Sequence, residues 1–426
     1  MIICRCIEKI RDKRGVITHY EIQNRSGVIK ILSSDELKKA IRDKQIYCIN
    51  LNLTSDNRLV DKNKYNTREQ EESADRILKK FRALHPGQNI MILKDASYLI
   101  QDDKIYLKEC FVENGTFVIP SFVTGIISEL LNTSAFNRCV KLKIINKSSI
   151  NTMSNMFLFC DNLEELDLSE FNSKEIISME SMFEGCANLR KVNLSNLNTS
   201  KVFEMNKMFA ECLVLEELDL SNFDTSNVIH MERMFSGCNK LYKLKIDNFN
   251  TENVISMLMM FDGCYNLKEL NLSRFNTANV TSMLGMFMGC RSLTKLDLRN
   301  FNTANVSNMS RMFESCNNLR EVNLSSFNTS NVESMSNMFC YCFWLEKLNL
   351  SNFDTINVGD MRSMFNECRS LKEIDIRNFD TINTKYMEFM FNECVVLKKI
   401  KISRKKFKLV SEARLVFSGC YNLKNW

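Results

Sequence analysis

From about residue 137 onward the apolar positions follow one fixed frame. Phe157, Phe183, Phe209 and their successors recur every 26 residues as far as Phe417. A cysteine follows each three positions later, from Cys160 and Cys186 to Cys420, so one ladder holds eleven of the seventeen cysteines. Met precedes the phenylalanine from Met156 through Met390, and a second Met often sits three residues earlier, as at Met231 and Met283. An unbroken period of this length marks a repeat architecture in which each unit contacts only its neighbours.

Residues 215–240 serve as one unit. Leu215, Leu218 and Leu220 end in period-two alternation, which predicts a short strand with Leu218 and Leu220 facing inward. Ser221-Asn222-Phe223-Asp224-Thr225 reads as a polar turn anchored by Phe223. Asn227 or Thr225 can cap a helix starting there. Val228, Met231, Met234, Phe235 and Cys238 fall at i, i+3, i+6, i+7 and i+10, the stripe expected of about three helical turns. The next strand then begins at Leu241. One strand and one helix in 26 residues require successive strands to stack in parallel. The predicted fold is therefore α/β: a leucine-rich-repeat solenoid of about eleven strand–helix coils, with strands from Val140-x-Leu142 to Ile400-x-Ile402. At roughly 4.8 Å per strand the sheet would run about 50 Å.

The outward strand positions form a second pattern. Glu165, Lys191, Glu217, Lys243, Glu269, Lys295, Glu321, Lys347, Glu373 and Lys399 alternate in sign over ten coils. Side by side on parallel strands they form a self-neutralising lattice that fixes register and makes a poor track for phosphates. Two residues on, the positions are mostly Asp or Asn, with Lys245 as an exception, and the next are mainly Ser, broken by Arg299 and Arg377.

Units such as Phe275-Asn276-Thr277-Ala278-Asn279-Val280, continuing through Met283, Met286-Phe287, Cys290, Leu293, Leu296 and Leu298, closely resemble the BspA-like leucine-rich repeat, the type also found in mycoplasma lipoproteins. The resemblance covers about residues 137–426. It implies a protein that binds other proteins or host matrix at a bacterial surface.

Residues 1–62 lack the period and read as a small α+β module. Strands are expected at Ile2–Asp12, Gly15–Gln23, Val28–Leu32 and Ile46–Leu53, with a capped helix from Ser33 to Ile41. The segment Asn50–Leu59 loosely resembles small modules of phage and mobile-element proteins. Residues 63–136 are expected to supply a linker, a helix over Arg76–His85 ended by Pro86-Gly87, and the cap that the first coil requires. Residues 137–426 are the solenoid.

Composition adds constraints. Of 426 residues, 45% are apolar and 25% charged, which excludes disorder and collagen. The net charge of +6 is too slight to indicate a nucleic-acid partner by itself. No apolar run approaches the roughly 20 residues that span a bilayer. No signal-peptide pattern precedes Cys4, and an odd cysteine count argues against a disulfide framework, so a reducing cytoplasm is expected.

Candidate chemistry is sparse. A line of thiols spaced one per coil does not converge on a metal as four zinc ligands must. The ladder is therefore expected to be core, as is the methionine ladder. His19, His85 and His230 lack partners at metal-site spacing, His230 is expected to be exposed, and Asp102-Asp103 stands alone in a loop. No metal, cofactor or catalytic residue is expected. Two departures from the repeat mark candidate sites. Cys340-Tyr341-Cys342-Phe343-Trp344 places Tyr341, Phe343 and Trp344 at a turn where other coils carry residues such as Asn317-Asn318; with Lys245, Arg299 and Arg377 it is the candidate partner-binding set. Lys398 to Lys408 holds seven basic residues in eleven. Lys399, Lys401, Arg404, Lys405, Lys406 and Lys408 are the candidate anion-binding set, although Lys on a sheet edge also blocks further pairing. The functional expectation is a non-enzymatic, intracellular protein-binding scaffold, such as a mobile-element inhibitor that occludes a host nucleic-acid-handling or defence enzyme. A surface adhesin and a nucleic-acid binder using the basic strand are the alternatives.

Overall fold

The structure, a computed structural model, describes residues 2–11, 17–24, 29–33, 39, 46–48, 51–53, 59–61, 74–84, 90–102, 104–126, 128–129, 133–148, 150–409 and 415–424. It divides into two compact units. The first comprises Met1–Val112, Phe117–Ile127 and Lys147–Ser149, and the second Glu113–Thr116, Ser128–Asn146 and Ile150–Trp426.

In the first unit, Ile2–Arg11, Ile17–Asn24 and Ile29–Ser33 pair antiparallel, as their alternation predicts, and Ile46–Cys48 adds in parallel beside Ile2–Cys4. The expected strand Ile46–Leu53 is two pieces: Leu51–Leu53 pairs with Leu59–Asp61 as a hairpin. The expected helix over 33–41 falls almost wholly outside the described residues, as do His85, Pro86, Gly87 and Asp103. A helix spans Ala74–Leu84 and buries Leu78 and Phe81, while Lys79 and Arg82 stay exposed. A second sheet comes next, ordered Gly125–Ile126, Lys104–Cys110, Ala96–Gln101, Ile90–Ile92. Its core includes Tyr98, edge-on to Phe122 at 5.5 Å.

The second unit is the leucine-rich-repeat solenoid. Lys141–Asn146, Glu165–Asp167 and Lys191–Asn193 open its sheet, paired in parallel. Three further parallel pairs are Glu217–Asp219 with Lys243–Lys245, Lys295–Asp297 with Glu321–Asn323, and Glu373–Asp375 with Lys399–Lys401. The expected continuous eleven-stranded sheet is thus corrected to short segments. Residues 269–271 and 347–349 follow the repeat without strand pairing.

The larger correction concerns the opposite side of each coil, where the expected helix does not form. In an α-helix every N–H bonds four residues back. Here alternate N–H groups leave the coil: those of Met283, Gly285, Phe287 and Gly289 donate to the carbonyls of Asn308, Ser310, Met312 and Glu314 in the following coil at 2.7–3.0 Å. The intervening groups close four-residue turns, Met286 to Met283, Met288 to Gly285 and Cys290 to Phe287. Two left-handed residues per coil make this path, for example Arg311 (φ 60°) and Ser315 (φ 58°). Gly237, Gly263 and Gly289 supply the second of them at no steric cost in three successive coils. A parallel bridge also joins each coil to the next here, running Thr152, Ser178, Glu204, His230, Ser256 and on to Tyr386. The apolar stripe is real, since Val280, Met283, Met286, Phe287 and Cys290 are all buried. A string of four-residue turns buries that spacing as well as a helix does.

Side chains continue the ladder. The phenylalanine rings from Phe157 to Phe417 stack with centroids 5.0–6.0 Å apart and nearly parallel planes. Thr303 is buried; its Oγ1–H donates to the Asn328 carbonyl at 2.8 Å and accepts the Asn328 N–H at 2.9 Å. Asn305 Nδ2 donates to the Ala278 carbonyl of the preceding coil at 2.8 Å. At the start of the stack Phe136 lies 4.9 Å from Phe157, and the Ser134 hydroxyl donates to the Met156 carbonyl, so this segment covers the first coil.

Unfolding in urea tests these ladders. Phe287→Ala, in mid-stack, is expected to cost about 3–5 kcal/mol as a buried cavity. Thr303→Val is expected to cost about 0.5–1.5 kcal/mol, because it removes the hydroxyl that bonds the part-buried carbonyl and N–H of Asn328. Losses below about 0.5 kcal/mol for both variants contradict a fold held by these stacks.

Candidate functional site

The sheet face carries the lattice that the sequence predicts. Lys141, Glu165 and Lys191 stand in register on adjacent strands, as do Glu217 with Lys243 and Lys295 with Glu321. Nζ–Oε distances are 2.7 Å for Lys141–Glu165, 2.8 Å for Lys243–Glu217 and 3.5 Å for Lys295–Glu321. All are solvent-exposed, so each pair contributes little beyond register. A shallow, open depression at the start of this face is lined by Lys141, Lys143, Glu165, Asp167, Lys191 and Asn193, and its ion pairs leave little net charge.

Lys245, Arg299 and Arg377 are absorbed by the same lattice. Lys245 Nζ lies 2.7 Å from Asp219, which it holds down at about 2 with help from Ser221. Arg299 pairs with Asp297 at 2.5 Å and Arg377 with Asp375 at 2.8 Å, each two residues back along its own coil. The structure leaves these three cations on separate coils.

The cysteine ladder has a definite job inside the core. Ten thiols, from Cys186 to Cys420, donate to the carbonyl of the phenylalanine one coil earlier, with Sγ···O distances of 3.0–3.3 Å. Burial pushes Cys238 and Cys316 up to about 12, so they stay neutral donors. Among the described residues no cluster of three or more His, Cys, Asp or Glu is placed to hold a metal. His230 is half-buried rather than exposed, because its position bridges Glu204 and Ser256; its Nδ1 is 3.9 Å from Glu232.

The aromatic turn is the surface that departs most from the repeat. Tyr341, at φ 60°, is edge-on to Phe343 with centroids 6.0 Å apart. Trp344 is 50% exposed, and its N–H bonds the Asn317 carbonyl of the preceding coil. Arginines cover these rings from both sides. The Arg320 guanidinium lies 5.5 Å from the Trp344 ring and that of Arg369 lies 4.8 Å from Phe343. Two coils earlier, Arg291 lies 4.3 Å over Tyr265. The rim across five coils, from Tyr265 to Arg369, is therefore a run of three cation–π pairs of the kind found at interface hot spots. Arg320 and Arg291 were not singled out by sequence. The signal was available in their place beside aromatic neighbours at the turn that opens each strand.

The basic segment at the far end is dispersed. Lys399 sits in register with Glu373, and Lys401 is 3.7 Å from Asp375. Arg404, Lys405 and Lys406 form an exposed turn, Phe407 is buried, and the Lys408 N–H and carbonyl both bond Thr381 Oγ1. Lys399–Lys401 pairs on one side only among the described strands, which suits lysines that block an edge.

Sequence reasoning also missed an apolar row. Ile177, Phe203, Ile229 and Ile255 occupy one outward position on four successive coils, each N–H bonding the preceding member's carbonyl from Phe203 onward, and all are 36–41% exposed. Read as a helix, that position has no fixed neighbours across coils; in the bridged ladder it forms a continuous stripe.

A family model described as "Mycoplasma protein of unknown function, DUF285" matches residues 127–243, 239–342 and 315–426. No curated protein matches the chain. Similar solved structures include the leucine-rich-repeat protein of T. pallidum, at 17% identity over 62% of this chain and 90% of that one, with a TM-score of 0.27. A leucine-rich-repeat protein from Eubacterium ventriosum matches at 15% identity over 75% of this chain and 96% of that one, with a TM-score of 0.31.

The buried thiols give the molecule an alkaline limit. Unfolded cysteine ionises near 8.5, whereas burial holds Cys238 and Cys316 protonated to about 12. Above about pH 8.5 the folded chain binds more protons than the unfolded one, so stability is full below that pH and falls through the window up to about 12. Urea midpoints measured from pH 7 to 10.5 are expected to stay level to about pH 8 and then drop steeply. A level profile through pH 10.5 contradicts neutral buried thiols.

Proposed function

This chain belongs to the Mycoplasma DUF285 family, and from its repeat geometry we propose that it is a non-enzymatic scaffold that binds a protein partner through the aromatic rim around Phe343 and Trp344. The observation that carries this reading is Trp344, half exposed at a turn with the Arg320 guanidinium 5.5 Å over its ring. A solenoid whose coils are joined by backbone hydrogen bonds along the bridged side presents such a patch in one fixed geometry, so little entropy is lost on binding. The large ring area at low rotamer cost suits an anchor that enters a pocket on the partner.

Two finer elements belong to the same proposal. A reducing, cytoplasmic setting is supported by the ladder of free thiols, each of which must keep its proton to bond the preceding coil. Occlusion of a host nucleic-acid-handling or defence enzyme is the form of partner binding that fits a rigid blocking surface. The sheet face is a poor track for nucleic acid, since Lys141, Lys243, Lys245, Lys295 and Lys401 are each paired with a carboxylate at 2.7–3.7 Å.

Affinity capture with the full chain, from nuclease-treated host lysate, tests the reading against the double variant Phe343→Ala/Trp344→Ala. The expected result is a stoichiometric protein whose retention falls at least tenfold with the variant while the thermal midpoint is kept. Recovery of nucleic acid alone, of matrix or surface components alone, or of a protein held equally by the variant, overturns it.

A further inference from the structure

Several surface arginines of the solenoid are already neutralised. Arg299, Arg311, Arg362, Arg369 and Arg377 each lie within 4 Å of an Asp or Glu carboxylate. The rim contains two that are not. Arg291 and Arg320, on adjacent coils joined by the Asn318 N–H to the Arg291 carbonyl, have no carboxylate within ion-pair distance among the described residues. Lys268, one coil before Arg291, is likewise exposed and unpaired among them. Each arginine has its guanidinium carbon over a ring, Arg291 4.3 Å from the Tyr265 centroid and Arg320 5.5 Å from that of Trp344. A cation held over a ring spends no N–H donor on that contact, so the donors of both guanidinium groups remain open to a ligand. A planar fork held in that way accepts a carboxylate with two parallel hydrogen bonds and little further ordering.

We propose that this stretch of rim, Tyr265, Lys268, Arg291, Arg320, Phe343 and Trp344, is a binding site for an extended acidic peptide segment carrying an apolar anchor residue. The proposal rests on the reading of the rim as the partner surface and adds the partner's chemistry. Three uncommitted cations on successive coils receive carboxylates, and the Phe343–Trp344 end receives the anchor. From the Tyr265 coil to the Phe343 coil is three inter-coil steps of roughly 4.8 Å, or about 14 Å. An extended segment of about five residues covers that length at about 3.3 Å each. A peptide is favoured over a nucleic acid because the cations are few and end abruptly. On the strand face beside them, Lys295 and Glu321 form a pair, as do Lys243 and Glu217, so a phosphate backbone finds no continuing track.

The test uses the full chain with its other tryptophan removed, Trp426→Phe, so that Trp344 emission alone reports on the rim. The probes are the synthetic octapeptide Glu-Asp-Glu-Leu-Asp-Glu-Asp-Leu, the same octapeptide with Lys at every acidic position, and a twelve-residue oligothymidylate. The acidic octapeptide is expected to give a saturable change that weakens at least tenfold in Arg291→Gln/Arg320→Gln and is unaffected by Arg377→Gln, whose arginine is paired with Asp375. Equal binding of the lysine peptide or the oligothymidylate, no saturable change with the acidic peptide, or equal binding by the glutamine pair, overturns the proposal. The captured native partner separates the two readings. If Phe343→Ala/Trp344→Ala releases it and the glutamine pair does not, the acidic class is wrong and the scaffold reading stands. If neither variant releases it, both fall.

Discussion

The hydrogen bonds that pass from coil to coil are what the rest of this solenoid depends on. Phe287 shows the junction in full. Its N–H donates forward to the Met312 carbonyl, and its own carbonyl receives the Cys290 N–H and the thiol of Cys316. The ring meanwhile stacks between Phe261 and Phe313 at 5.7 Å on either side. Three of these, the forward N–H, the Cys316 thiol and the ring stack, cross between coils, and each needs the neighbouring coil at the same height and phase. One inserted residue would slide every donor off its acceptor and leave buried backbone groups unpaired, at a cost of about 1–3 kcal/mol each. That penalty, repeated down the stack, explains why the spacing holds at 26 residues without slippage. It also explains the choice of cysteine. The site needs a side chain small and apolar enough for a packed core, yet able to donate a proton to a carbonyl.

The same constraint decides what was legible in the sequence. Everything tied to the period was readable: the inward Leu218 and Leu220, the buried Cys ladder, and the register that sets Glu217 beside Lys243. Backbone conformation between the fixed points was not. Val280, Met283, Met286, Phe287 and Cys290 have spacings that a helix and a chain of four-residue turns bury equally well. What distinguishes them is left-handed backbone at positions such as Arg311 and Phe389, residue types that give no warning of it. Once the helix was assumed, the row Ile177–Phe203–Ile229–Ile255 had no reason to be noticed. The aromatic turn at Phe343–Trp344 was legible because it breaks a polar pattern. The arginines that stack on it were not, because Arg291 and Arg320 look ordinary within their own coils, and their role emerges only across coils.

A stack of this type leaves few positions free to vary. The inward sites are committed to ladders. Asn305 and Thr303 tie the turn beside the core, and the strand face is committed to charge pairing. Specificity therefore has to be written at the rims and at the outward row of the bridged side. Both surfaces inherit the roughly 4.8 Å spacing of the coils, so a side chain on one coil always has a neighbour at a known distance on the next. This turns single substitutions into lines of contact.

The rim is the more selective of the two. The apolar row offers area but no direction, and four half-exposed side chains bury far less than the roughly 800 Å² per partner of a standard interface. The rim combines area with directional donors. Arg320 and Arg291 lie over the indole of Trp344 and the phenol ring of Tyr265, and those arginines have no internal carboxylate to satisfy them among the described residues. Arg369 illustrates the alternative on the same edge: it stacks on Phe343 at 4.8 Å and is closed off by Glu367 at 2.6 Å. Arginines of similar geometry thus differ in whether the coil itself supplies the counter-charge. Where it does, the pair is structure. Where it does not, the donors are available to a ligand, and the rigid ladder beneath them holds the fork in place before the ligand arrives.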